Sequence, residues 1–167
     1  MKRLCLLVCG CANLLGIEDP KPGPGPKPDG GDMIDAGSDG PMQFMCNDDS
    51  QLEPNDTLAT AVATPVEQTM ETFTLANLAI CPDVDKDLYE VQILQNIQNL
   101  QFTVTTTGGA PAHVQMLNSG GIVIANGNPG GPNQQIVNAA NLPAGQFYAQ
   151  VDGTAQSNYN LDIHVVK

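Results

Sequence analysis

From residue 87 onward, apolar and polar residues alternate in short runs. Tyr89, Val91 and Ile93 share one phase, with Glu90 and Gln92 on the other. Leu100, Phe102 and Val104 alternate with Gln101, Thr103 and Thr105, and Ala112, Val114 and Met116 alternate with His113 and Gln115. Phe147, Ala149 and Val151 alternate with Tyr148, Gln150 and Asp152, and Tyr159, Leu161, Ile163 and Val165 alternate with Asn160, Asp162 and His164. Side chains of a strand point to opposite faces in turn, so a period of two predicts strands with one buried and one wet face. Turn residues part the runs: Gly108-Gly109, Asn118-Ser119-Gly120-Gly121, Asn126 to Pro132, Pro143-Ala144-Gly145 and Asp152-Gly153. Strands at this spacing predict an all-β antiparallel sandwich or barrel. Only residues 57–63 read as a helical turn.

The chain before these runs has another character. Lys2 and Arg3 precede the apolar Leu4, Cys5, Leu6, Leu7 and Val8, then Cys9, Gly10 and Cys11. This is the order of a secretory leader, and it is shorter than the about 20 apolar residues of a membrane span. Val8-Cys9-Gly10-Cys11 resembles a lipobox, with residues 1–10 as the leader and Cys11 as the lipidated new N-terminus, although Cys9 is unusual there. That implies an exported lipoprotein of the outer membrane or cell surface, held to the membrane through Cys11, or otherwise a secreted protein. The competing reading is a mis-assigned start or an ordinary cytosolic N-terminus. Residues 11–41 hold the proline-rich Lys21-Pro22-Gly23-Pro24-Gly25-Pro26-Lys27-Pro28 and then mostly glycine and aspartate. Such a segment has too few apolar side chains for a core and predicts a solvated tether. The folded domain is expected at 42–167.

Composition narrows the function. The chain has 167 residues and a formal net charge of -12, and Lys86 and Lys167 are the only basic residues after Lys27. A polyanion would be repelled, which excludes nucleic acid as a partner. With Cys5 and Cys9 leaving in the leader and Cys11 lipidated, Cys46 and Cys81 remain as an even pair. A disulfide is favoured over a metal site, because the pair lacks zinc-ligand spacing. Between Glu90 and Asp152 there is no Asp, Glu, Lys or Arg. The polar strand faces there carry amides and hydroxyls, which suit either ligand hydrogen bonding or a plain neutral exterior.

Catalytic constellations are missing. His113 and His164 both sit on polar phases, and neither has a serine in a nucleophile-like turn to serve. The informative residues are acidic: Glu53-Pro54-Asn55-Asp56, and Asp83, Asp85 and Asp87. Crowded carboxylates repel unless a cation separates them, and calcium takes six to eight such oxygens. A Cys46–Cys81 bridge would bring the two segments together. The alternative is that Asn55 or Asp56 caps a turn while the aspartates are loop residues.

Glu53-Pro54-Asn55-Asp56-Thr57, Asp85-Lys86-Asp87-Leu88-Tyr89, Leu142-Pro143-Ala144-Gly145-Gln146-Phe147-Tyr148 and a closing Tyr159-Asn160-Leu161 resemble, in order and spacing, the bacterial pre-peptidase C-terminal domain. The arrangement of lipobox, Asp/Gly linker and paired cysteines resembles myxobacterial secreted proteins. The resemblance covers residues 46–167 and implies a jelly-roll-like β-sandwich, an accessory module of exported enzymes. By likeness to collagen-binding relatives, it implies structural calcium held by Glu53, Asn55, Asp56, Asp85 and Asp87. Gln51 stands where those relatives carry an acid, which removes one carboxylate. The function expected is a non-catalytic, surface-tethered module that binds an extracellular protein or polysaccharide, with Tyr148 as its one outward, ligand-facing aromatic. The alternative is a structural envelope lipoprotein acting through assembly with other envelope proteins.

Overall fold

The five alternating runs become five of ten strands in two facing five-stranded sheets, as a computed structural model describing residues 43–65 and 72–167 shows. The expected leader at 1–10, lipidation of Cys11 and tether at 11–41 lie outside the described residues. The strands are β1 (Val62–Ala63), β2 (Thr72–Ile80), β3 (Lys86–Ile93), β4 (Ile97–Gly109), β5 (Ala112–Asn118), β6 (Val123–Asn126), β7 (Asn128–Gly131), β8 (Gln134–Leu142), β9 (Gly145–Gly153) and β10 (Ser157–Val166). One sheet runs β1-β3-β9-β5-β6 and the other β2-β10-β4-β8-β7. All pairings are antiparallel except β1 with β3, where Val62 lies opposite Tyr89 and Ala63 opposite Glu90. The expectation of an all-β sandwich holds.

The period-two phases explain the layers. Leu100, Phe102 and Val104 of β4, Leu161 and Ile163 of β10, and Tyr89 and Val91 of β3 are fully buried. They interdigitate with Val114, Met116, Ala149 and Val151 in one cluster between the sheets. Burying one such side chain contributes about 1.5–3 kcal/mol, so the shared apolar layer is what joins the sheets. The β4 end needs a glycine: Gly109 has φ +82, and a Cβ there would run into the Gln156 carbonyl oxygen and the Phe44 ring.

Three local expectations are corrected. The expected turn from Asn126 to Pro132 is largely extended: Asn126 ends β6, and Asn128–Gly131 form β7, which pairs with β8. Residues 57–63 are not helical. A single turn, closed by the Thr60 N–H on the Thr57 carbonyl at 3.0 Å, leads straight into β1. Thr60 Oγ1 also bonds Thr57, and such local side-chain bonds compete with helix. The Thr64 N–H and hydroxyl then both donate to the Glu90 carbonyl, at 2.9 and 2.8 Å, fixing the extended course beside β3. Tyr148, expected to face outward, is buried at 5 % exposure. It does lie on the outer phase of β9, but Leu58 and Ala61 pack over it together with Leu88 and Leu117. The segment before β1 therefore roofs part of that outer face, which a strand-by-strand pattern does not register.

Candidate metal centre

The N-terminal segment is stitched to the sandwich before it reaches the acidic residues. Cys46 and Cys81 form a disulfide, with Cα atoms 6.4 Å apart and 35 residues of sequence separation. Asn47 Nδ2 donates to the Leu78 carbonyl at 3.2 Å, and the Asn47 N–H donates to Asn158 Oδ1 at 2.8 Å. Asp49 Oδ2 accepts from the Ala79 N–H at 2.7 Å. These ties deliver Glu53 and Asn55 to the start of β3, where the Leu88 N–H donates to the Asn55 carbonyl at 3.0 Å.

Three carboxylates meet there. Glu53, Asp85 and Asp87 each offer an oxygen, and these atoms lie within 4.8 Å of one another. The Asp85 carboxylate is aimed by two backbone donors, the Cys81 N–H at 3.1 Å and the Lys86 N–H at 2.9 Å. Glu53 Oε2 accepts from the Asn55 N–H at 3.1 Å. Asp87 is fully buried; its Oδ2 accepts from the Tyr159 hydroxyl, which lies 2.8 Å from the Tyr89 hydroxyl. Asp87 Oδ1 has no partner among the described residues, and neither does either amide atom of fully buried Asn55. Buried polar atoms are nearly always bonded, and leaving one unsatisfied costs about 1–3 kcal/mol; the free oxygens of Asp87 and Asn55 are of a kind a cation could satisfy, whereas the Asn55 NH2 needs an acceptor instead.

The electrostatics agree. Burial pushes the Asp87 carboxyl up to about 8, helped by the nearby Asp85, Glu53 and Asp49, against the Tyr159 hydrogen bond. Burial also raises Glu53 and Asp85; Asp85, Asp49 and Asp56 add to the rise in Glu53, and Asp56 adds to that in Asp85. Burial holds the Tyr89 and Tyr159 hydroxyls well above the ordinary tyrosine range. The site thus gathers negative charge that it cannot keep ionised by itself.

A hard divalent cation fits this donor set. Calcium binds oxygens at about 2.3–2.6 Å, so two ligand oxygens on opposite sides of one ion stand roughly 4.8 Å apart. A depression of about 390 Å³ lined by Asp56, Pro82, Val84, Asp85 and Lys86 opens beside the centre and gives access from solvent. Of the expected ligands, Glu53, Asp85 and Asp87 converge, and Asn55 is buried beside the start of β3. Asp56 is exposed and outside the group of three, but its carboxyl lies within hydrogen-bond reach of that of Asp85. Two functional contributors were not singled out from sequence. Asp49 ties the segment to β2, and nothing in its local pattern marks it. Tyr159 enters the sequence reading as a buried-phase residue and in the closing Tyr159-Asn160-Leu161 strand, without a role at this site; a buried tyrosine hydroxyl requires a polar partner, which is the available signal.

His113 Nδ1 lies 4.0 Å from Asp152 Oδ1, with both side chains in solvent, and no serine stands with them. The buried Ser157 hydroxyl is closed off from any substrate.

No protein-family profile and no curated protein sequence matches the chain. Solved structures with similarity include PliG of Aeromonas hydrophila, a periplasmic inhibitor of g-type lysozyme, at 15% identity over 63% of this chain and 95% of that one, with a TM-score of 0.46. The pre-peptidase C-terminal domain of a collagenase from Bacillus anthracis is 18% identical over 56% of this chain and 86% of that one, with a TM-score of 0.42. PliG of Salmonella Typhimurium is 14% identical over 63% and 96%, with a TM-score of 0.38. The family named by the sequence resemblance is thus among the folds found.

Proposed function

We propose that this chain is a non-catalytic binding module of the cell exterior, whose sandwich is completed by structural calcium. The observation that carries the reading is the convergence of Glu53, Asp85 and Asp87 beside the buried, unpartnered amide of Asn55. When bound, calcium supplies the positive charge that lets the three carboxylates remain ionised together. The chain's own residues do the rest: the Cys81 and Lys86 amides orient Asp85, the Asn55 amide orients Glu53, and Tyr159 fixes the rotamer of Asp87. The effect is to pin the segment before β1 onto the sandwich.

The disulfide supports residence in an oxidising compartment. Export as a lipoprotein anchored through Cys11 belongs to the same proposal. The ligand is an extracellular protein or polysaccharide. With Tyr148 covered, recognition falls to amide and hydroxyl groups such as Gln101, Thr103 and Gln115 on the outer faces rather than to aromatic stacking.

Thermal unfolding of the full chain in calcium and in chelator tests the central claim. A ligand held only by the folded state at a hundred times its dissociation constant adds about 2.7 kcal/mol, which raises the melting temperature on the order of 10 °C. Equal melting temperatures in the two buffers would remove the cation from the account.

A further inference from the structure

Every carboxylate of the acidic centre is already held by a donor from the protein. Glu53 Oε2 accepts from the Asn55 N–H, and the two Asp85 oxygens accept from one backbone N–H each, those of Cys81 and Lys86. Asp87 is held differently. Its Oδ2 accepts from a side-chain hydroxyl, that of Tyr159, and its Oδ1 has no partner among the described residues. The amide oxygen of fully buried Asn55 is open in the same way. These two oxygens, one from each acidic segment, are the ones the fold leaves free for a cation.

The hydroxyl chain behind Asp87 has a direction. A carboxylate only accepts, so Tyr159 gives its single O–H hydrogen to Oδ2. Its oxygen is then left as an acceptor, and the Tyr89 hydroxyl, 2.8 Å away, is the donor that meets it. Asp87 and Tyr89 stand on β3 and Tyr159 on β10, so the chain crosses to the other sheet and returns. All three residues are fully buried. Oδ2 is therefore committed to the interior of the sandwich, where a hydrated ion does not reach.

We propose that Tyr159, held in place by Tyr89, sets the ion preference of this site by restricting Asp87 to one oxygen toward the cation. This rests on the cation reading above and adds to it a residue that decides between ions. Calcium is large, fills six to eight places and readily takes a carboxylate through both oxygens, whereas magnesium demands six and keeps several of its waters. Limiting Asp87 to Oδ1 withholds one ligand that only the larger ion has room for. The hydroxyl lock thus holds down the preference for calcium over magnesium. Neither tyrosine is a ligand; both are positioning residues that act through Asp87. Removing a hydrogen-bond partner of a metal ligand changes affinity about 10–100-fold, which makes the effect measurable.

Isothermal titration calorimetry of the full chain with calcium chloride and, separately, magnesium chloride at one pH reads two dissociation constants and their ratio. Tyr159→Phe should weaken magnesium about tenfold or more and calcium by less, because the freed Oδ2 becomes a further calcium ligand. The ratio then moves toward calcium. Tyr89→Phe keeps the Tyr159 hydroxyl but removes its donor, and should move the ratio the same way by a smaller factor. Phe102→Leu, a core change where β4 pairs with Ile163 and Val137, should lower the melting temperature and leave the ratio at its wild-type value. A merely structural role for the tyrosines predicts that same unmoved ratio in all three variants. An unmoved ratio in Tyr159→Phe, or a wild type that binds calcium but no magnesium, overturns the lock and leaves the cation site standing. Should Tyr159→Phe fail to fold, an unmoved ratio in Tyr89→Phe overturns it instead. A wild type that binds neither ion removes the cation reading and this inference with it.

Discussion

Replacing Asp87 by asparagine should act in opposite directions with and without calcium. The folded state holds the Asp87 proton up to about 8, against an ordinary value of 3.8, while the unfolded chain releases it near the ordinary value. Cation-free protein therefore has its full stability below about pH 4. It loses about 1.4 kcal/mol per pH unit through this group until about pH 8, above which the loss stops. At neutral pH the accumulated loss is about 4 kcal/mol. Asp87→Asn abolishes that ionisation and keeps an oxygen for the Tyr159 hydroxyl. It also introduces an NH2 group where Asp87 Oδ1 has no partner, at a cost of about 1–3 kcal/mol. The net expectation in chelator at neutral pH is a variant more stable than wild type by roughly 1–3 kcal/mol. In calcium the order should reverse, because the variant has lost a charged ligand. Urea unfolding followed by far-ultraviolet circular dichroism at several pH values between about 5 and 8 measures both effects. A variant less stable than wild type in chelator, or one retaining the full pH slope, would refute this account of the buried carboxyl.

Two further outcomes test the scaffold. Cys46→Ser with Cys81→Ser frees a loop of 35 residues' separation and should cost about 3–4 kcal/mol in urea unfolding; it should also weaken the calcium-induced rise in melting temperature, since the bridge helps deliver Glu53 to the site. Gly109→Ala places a Cβ against the Gln156 carbonyl and the Phe44 ring at φ +82, and should lower stability by at least about 1–2 kcal/mol in the same assay; an unchanged unfolding midpoint would count against the tight approach at the end of β4.

The architecture was legible because it rests on period two. Each of the quoted runs became a strand, and their apolar phases became the facing layers. The acidic centre was legible in part, since Glu53, Asp85 and Asp87 stand in two short acidic segments that the chain brings together. Its closing partners were not, because Tyr159 reaches Asp87 from the opposite sheet and Asp49 acts on the Ala79 amide, both through pairings distant along the chain. The fate of Tyr148 was hidden for the same reason. Period two tells inner from outer face and is silent about which outer positions receive a roof such as Leu58 and Ala61. The turn at 57–63 failed as a helix because the main chain of β3 offered it better hydrogen bonds than it could make alone.

The tyrosine pair at the centre of the sandwich has an optical consequence. The chain contains three tyrosines and no tryptophan, so phenol rings dominate its near-ultraviolet absorption and emission, over the weaker phenylalanines and the disulfide. Two of these, Tyr89 and Tyr159, end in a hydroxyl chain on the Asp87 carboxyl. A change in that carboxyl's charge therefore perturbs two of the three chromophores directly. The protein thus carries a built-in, label-free indicator of the charge on that carboxyl.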